Sequence, residues 1–211
     1  MFRDRRDAGQ QLAVALERFR GEHPLVLALP RGGAVVGAEI ARSLQGDFDV
    51  LLVKKLRAPD NLELAIGAVC EEGHPCFNEE LVRLTGCGRR YLEAETKERL
   101  AAIAAQSRRY RAIKPRVPAN NRTVILVDDG LATGATMMAA AELVALSKPR
   151  KIIVAAPVGP PDAVQRLREL PQVQEVVCLE VSPWFGGVGQ FYDDFTQIED
   201  EEVVDILREF V

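Results

Sequence analysis

No stretch of the sequence is apolar for long enough to span a bilayer, and the opening residues MFRDRRDAGQQL lack the hydrophobic centre of a secretion signal. The expectation is a cytoplasmic protein with no membrane partner. Cysteine and histidine are scarce. Cys70, Cys76, Cys87 and Cys178 form no C-x-x-C pair, and His23 and His74 fall in no ligand cluster, which argues against a structural zinc. Cys70 and Cys178 lie within apolar runs and read as small core residues. There is no low-complexity linker either, so 211 residues with 47% hydrophobic content read as a single domain, 1–211. Two phosphate-binding signatures are also missing. Without G-x-x-x-x-G-K-[ST] a Walker-type nucleotide hydrolase is disfavoured, and without G-x-G-x-x-G so is a dinucleotide site.

What the chain does have is concentrated between Thr123 and Met138, TVILVDDGLATGATMM. Residues 123–127 are β-branched and apolar, as suits a parallel strand buried on both faces. Asp128 and Asp129 follow where that strand leaves the core. Gly130, Ala132, Gly134 and Ala135 then keep the turn nearly bare, so that backbone N–H groups can approach a ligand. A helix is expected from about Thr136, which places Thr133, Gly134, Ala135 and Thr136 at its N-terminus, where unpaired N–H groups and the helix dipole favour a phosphate. The plainer alternative is a strand-turn-helix connection with solvated aspartates and a threonine N-cap.

The rest of the chain supplies more units of the same kind. Residues 5–19 read as a helix, 25–29 as a buried strand running into Pro30-Arg31-Gly32-Gly33, and 33–44 as a helix. Residues 49–53 read as a strand ending in Lys54 and Lys55, so that charge again gathers at a strand's C-terminal end, the edge where open α/β sheets bind ligands. From 55 to 78 the pattern suggests a loop and then an antiparallel hairpin, about 64–71 with 75–78. Residues 79–116 form a basic, mostly helical insertion, interrupted at Gly86 and Gly88 and ended by Pro115 and Pro118. A strand at 151–156, a helix at 161–170 and a strand at 173–181 complete a β-α-β-α-β alternation, and 199–210 close with an acidic helix. The fold class is therefore α/β, a doubly wound, mainly parallel central sheet with flanking helices.

An apolar strand, Asp-Asp, then Thr-Gly-Ala-Thr opening a helix resembles the phosphoribosyl pyrophosphate (PRPP) motif of the type I phosphoribosyltransferases. The resemblance continues in order through Pro30-Arg31-Gly32-Gly33, the cations Lys54, Lys55 and Arg57, and the aromatic tail, over about two-thirds of the chain. It implies that Arg31, Gly32, Gly33, Lys54 and Lys55 receive pyrophosphate, and that Gly130, Leu131, Ala132, Thr133, Gly134, Ala135 and Thr136 hold the 5-phosphate. Asp128 and Asp129 would grip the ribose hydroxyls, directly or through Mg²⁺, and act in catalysis together with Lys54 and Lys55. Trp184, Phe185 and Tyr192, in a C-terminal hood and tail at 182–211, would cover an acceptor ring by stacking. Glu63, Glu71 and Glu72 are candidate proton-handling groups. The implied activity is displacement of pyrophosphate from ribose C1 by a nitrogen acceptor such as a nucleobase.

Charge is unevenly spread. From Arg83 to Arg116 there are ten Lys/Arg against three Glu, and from Gln190 to Val211 eight Asp/Glu against one Arg, with a net charge of −4 overall. The basic stretch either faces an anion or RNA, or pairs with the acidic tail of its own or a neighbouring subunit. This keeps open a second function, a non-catalytic PRPP sensor or RNA-binding regulator. The acidic balance and the lack of a helix-turn-helix arm weigh against nucleic acid. The family resemblance also suggests a homodimer.

Overall fold

In the computed structural model, which describes residues 1–211 apart from the side chains of Leu62 and Glu63, the chain begins with helix α1 (Arg5–Ala15). Asp4 caps it by accepting a hydrogen bond from the Asp7 N–H. The expected helix over 5–19 stops early and tightens into a 3₁₀ turn, Glu17–Glu22. Strand β1 (Leu25–Ala28), helix α2 (Gly32–Leu44) and strand β2 (Asp47–Val50) follow.

Next come β3 (Val53–Ala58), β4 (Asn61–Cys70) and β5 (Pro75–Phe77), then helices α3 (Glu79–Thr85) and α4 (Arg89–Arg111). The second half alternates β6 (Thr123–Val127), α5 (Ala135–Ala145), β7 (Lys151–Gly159), α6 (Pro161–Arg168) and β8 (Glu175–Val181). A 3₁₀ turn, Val188–Phe191, and helix α7 (Asp200–Arg208) end the chain.

Five strands pair in parallel in the order β2-β1-β6-β7-β8. Alternate side chains divide between its two faces. In β1, Val26 and Ala28 join the apolar cluster under α1, α2 and α7, while Leu25 and Leu27 join the one under α5 and α6. Both faces being buried explains why these strands read as unbroken apolar runs. The C-terminal ends of β1 and β6, neighbours in the sheet, emerge side by side at one edge.

A second expectation also fails. The stretch taken as a strand into Lys54 and Lys55 and then a loop is two strands: β2 ends at Val50, and β3 starts a second, antiparallel sheet in the order β3-β4-β5. Lys54, Lys55 and Arg57 therefore lie within a strand of that sheet. Leu56 and Ala58 provide its buried anchors, and the ladder is irregular around Arg57.

A buried ion network fastens α4 to both sheets. Arg111 spans Asp49 of β2 (2.7 Å) and Glu71 (2.5 Å), and donates to the Val50 carbonyl at 2.9 Å. Asp49 is fully buried and also accepts from the Val117 N–H at 3.0 Å, while Ser107 donates to Glu71 at 2.6 Å. The basic and acidic segments also meet within one chain. Arg109 pairs with Glu201, and Tyr110 and Gln106 donate to Asp200 at 2.7 and 2.9 Å.

Candidate functional site

The turn after β6 has a buried base and an open rim. The Leu131 N–H donates to the Val158 carbonyl at 2.8 Å, and Gly130, Leu131 and Gly134 are buried, whereas Ala132, Thr133 and Thr136 are exposed. Gly134 is the N-cap of α5 with φ of 70°, a left-handed conformation that a glycine adopts without penalty. It carries no side chain, so the first turn of α5 has no side-chain cap, and the nearest substitute is a long 3.4 Å bond from the Ala135 N–H to Thr133 Oγ1. A bare helix N-terminus beside two exposed threonine hydroxyls is a ready anion cradle. The chain also brings in a cation that the motif does not contain: Arg166 of α6 donates to the Thr133 carbonyl at 3.0 Å.

Loop 30–33 packs directly on the aspartate pair. A Cβ placed on Gly32 would stand 1.9 Å from Asp129 Oδ2, and one on Gly33 would stand 2.9 Å from the Val127 carbonyl and 3.0 Å from Asp128 Cα. Only glycine permits this approach, and it makes the two loops one surface. The Pro30–Arg31 peptide bond is cis. The Arg31 side chain turns to Glu199, the N-cap of α7, at 2.7 Å.

The two carboxylates differ in electrostatics. Asp129 Oδ2 accepts from Arg5 Nε at 2.7 Å. Asp128 Oδ1 accepts from the Asp129 N–H at 2.9 Å. Although Asp128 keeps some exposed surface, the crowded turn desolvates its carboxyl, and this, followed by the charge of Asp129, pushes its pKa well above the usual carboxylate range. The pair thus combines a carboxyl whose pKa is raised with one that is paired to arginine.

The remaining expected residues separate into groups. No hydrogen bond or ion pair joins Lys54 or Lys55 to Asp128 or Asp129 among the described residues; both lysines lie on β3, which starts three residues after β2 ends. Glu71 is held by Arg111 and Ser107, and Glu72 pairs with Arg116, so both glutamates have partners beside the second sheet. The Glu63 side chain lies outside the described part of the structure.

In the tail, Tyr192 is no open stacking surface. It is buried against Phe2 and Phe195, and its hydroxyl donates to the Asp129 carbonyl at 2.6 Å. Phe185 packs on Phe191. Trp184 stays 86% exposed and is the aromatic free to meet a ligand. Val188 covers the turn itself, since a Cβ on Gly130 would stand 2.5 Å from its Cγ1.

Arg5 and Tyr192, which anchor Asp129, were not expected in those roles. For Arg5 a sequence signal existed: two arginines, Arg5 and Arg6, open α1, where the helix dipole disfavours positive charge.

Comparison with known proteins places the chain in a family. The family model of the phosphoribosyl transferase domain matches residues 7–196, and the chain belongs to that family. Two proteins of Mycobacterium tuberculosis, from strains H37Rv and CDC 1551, each named provisionally as a phosphoribosyl transferase, are 42% identical to it over 207 residues. That alignment covers 98% of this chain and 46% of each relative, so the chain spans about half the length of the curated relatives it matches. The crystal structure of TT1426 from Thermus thermophilus superposes with a TM-score of 0.93 at 45% identity, covering 100% of this chain and 99% of that one. No helix of the described residues is long and apolar enough to cross a membrane.

Proposed function

We propose that this domain transfers the phosphoribosyl group of PRPP to a nitrogen acceptor, with Mg²⁺, displacing pyrophosphate from C1. The observation that carries the reading is the contact between Gly32 and Asp129, which puts a loop suited to pyrophosphate against a carboxylate suited to ribose, beside an uncapped helix N-terminus suited to the 5-phosphate.

Departure of pyrophosphate leaves positive charge on the ribose ring, so the reaction is assisted mainly by orientation and by preorganised charge. The α5 N-terminus with Thr133 and Thr136 anchors one end of the substrate. Asp128 and Asp129 hold the ribose hydroxyls, and their negative charge favours the cationic ring. Arg31 meets the leaving group by exchanging Glu199 for it; this pair is solvent-exposed, worth only about 0–1 kcal/mol, and readily replaced.

Among the described residues no cluster of three or more His, Cys, Asp or Glu forms a metal cage. Asp128 and Asp129 alone suit a hard cation that takes its other oxygens from the substrate and water. When bound, Mg²⁺ would balance charge on the leaving pyrophosphate. Lys54 and Lys55 remain candidates for the same task through movement of the second sheet. Trp184 is proposed as the stacking contact for the acceptor.

The regulator reading is less well supported, because the arginines of α4 that would face RNA are in large part engaged by acids of the same chain: Arg89 by Glu93, Arg99 by Glu95, Arg109 by Glu201 and Arg111 by Asp49 and Glu71. The test is pyrophosphate release from PRPP and Mg²⁺ across a panel of purines, pyrimidines and other nitrogen acceptors. Acceptor-dependent release that disappears when Asp128→Asn and Asp129→Asn are combined supports the enzyme. PRPP binding without release for any acceptor, together with salt-sensitive RNA binding, supports the regulator.

A further inference from the structure

Arg5 is 8% exposed, yet it opens a helix and is 124 residues from the carboxylate it holds. Its guanidinium is fixed on three sides. Nε donates to Asp129 Oδ2 at 2.7 Å, Nη1 donates to the Thr196 carbonyl at 2.8 Å, and the Phe195 ring lies 3.9 Å from Cζ. Gly32 closes over the joint, a Cβ there standing 2.8 Å from Arg5 Nε as well as 1.9 Å from Asp129 Oδ2.

We propose that Arg5 is a positioning residue that locks the rotamer of Asp129, leaving a single oxygen, Oδ1, to receive a sugar hydroxyl. Asp128 is treated in parallel, its Oδ1 being occupied by the Asp129 N–H. Each carboxyl group thus has one oxygen engaged, Asp129 Oδ2 by Arg5 and Asp128 Oδ1 by the Asp129 N–H, and the two groups lie close enough to interact directly. Two adjacent carboxyl groups, each with one oxygen held by the protein, match a pair of vicinal hydroxyls. They discriminate against a sugar lacking one of them, because the buried acceptor would be left unpaired. The planar fork of arginine serves Asp129 and Thr196 through N–H groups of fixed relative direction, a geometry that the rotatable ammonium of lysine does not impose.

This assignment rests on the reading that the site binds a phosphorylated ribose, and the experiment separates the two. Binding of D-ribose 5-phosphate and of 2-deoxy-D-ribose 5-phosphate is measured by calorimetry for the wild type, Arg5→Lys, Arg5→Gln, Asp129→Asn and the double variant Arg5→Lys with Asp129→Asn. The wild type should prefer the ribose form by about tenfold or more. Both Arg5 variants should reduce that preference to about twofold, while affinity for the 2-deoxy ligand, held through its phosphate, stays within about twofold of wild type. In the Asp129→Asn background Arg5→Lys should cost nothing further.

Full preference retained in Arg5→Lys and Arg5→Gln would overturn the assignment. An equal loss of both ligands would also overturn it, by showing that Arg5 serves only to hold the fold. If the wild type binds neither sugar phosphate, the site reading itself fails and the role of Arg5 fails with it.

Discussion

Gly32 and Asp129 are packed so closely that any side chain on the former would occupy the position of the latter's Oδ2, 1.9 Å from the nearest Cβ site. Loops from the first and second halves of the chain are thereby made parts of one surface. Arg5 holds Asp129 from behind, so the aspartate cannot swing away freely. Gly32→Ala should therefore weaken PRPP binding by about tenfold or more and destabilise the fold by about 1–3 kcal/mol through overpacking. Titration calorimetry and chemical denaturation measure the two effects separately.

Asp128 should ionise when a ligand-bound cation arrives. Burial and the charge of Asp129 raise its pKa, which shifts the free protein toward the protonated form, whereas coordination favours the carboxylate. Binding of Mg²⁺ with PRPP should release protons and tighten with rising pH. Calorimetry in buffers of different ionisation enthalpy reads the proton count, and the release should vanish in Asp128→Asn.

The tail aromatics should divide by role. Trp184→Ala removes an exposed ring, so stability should change by less than about 0.5 kcal/mol. The KM for the acceptor should nevertheless rise at least about fivefold, as expected from loss of base stacking. Tyr192→Phe keeps the ring packing but removes the hydrogen bond to the Asp129 carbonyl, and should cost about 1 kcal/mol of stability. Steady-state kinetics and thermal denaturation distinguish the two variants.

Acid sensitivity should originate partly at Glu71. Burial raises its pKa, but hydrogen bonds from Arg111 and Ser107 outweigh that and bring the pKa below the ordinary value of 4.5. The folded-state value being the lower one, the stabilisation is present above the unfolded value of 4.5 and is lost as pH falls through the folded one. Glu71→Gln should flatten the decline in stability below pH 4.5. Arg111→Met should cost about 3–5 kcal/mol at neutral pH, since it strands buried Asp49 and Glu71. Urea denaturation across pH checks both.

These features were unequally legible in the sequence. The strand Thr123–Val127, the aspartate pair and the glycine-rich turn form a contiguous signal, because a parallel strand buried on both faces must be apolar throughout and must end where charge begins. Strand β3 was hidden because Lys54, Lys55 and Arg57 break its apolar alternation, and the partner that makes it a strand lies across an irregular ladder. Tyr192 read as a ligand-facing aromatic, since nothing local shows that Phe2 and Phe195 enclose it. The bond between Arg5 and Asp129 is a tertiary event, invisible to any local window.

The account turns on residues 30–33 and 128–136 forming one PRPP site, and equilibrium binding of PRPP in the presence of Mg²⁺ tests that most directly. The wild type should bind with a saturable single-site isotherm, and combining Asp128→Asn with Asp129→Asn should weaken binding by about a hundredfold while leaving the fold intact. A wild type that does not bind PRPP, or a double variant that binds it equally well, would contradict the account.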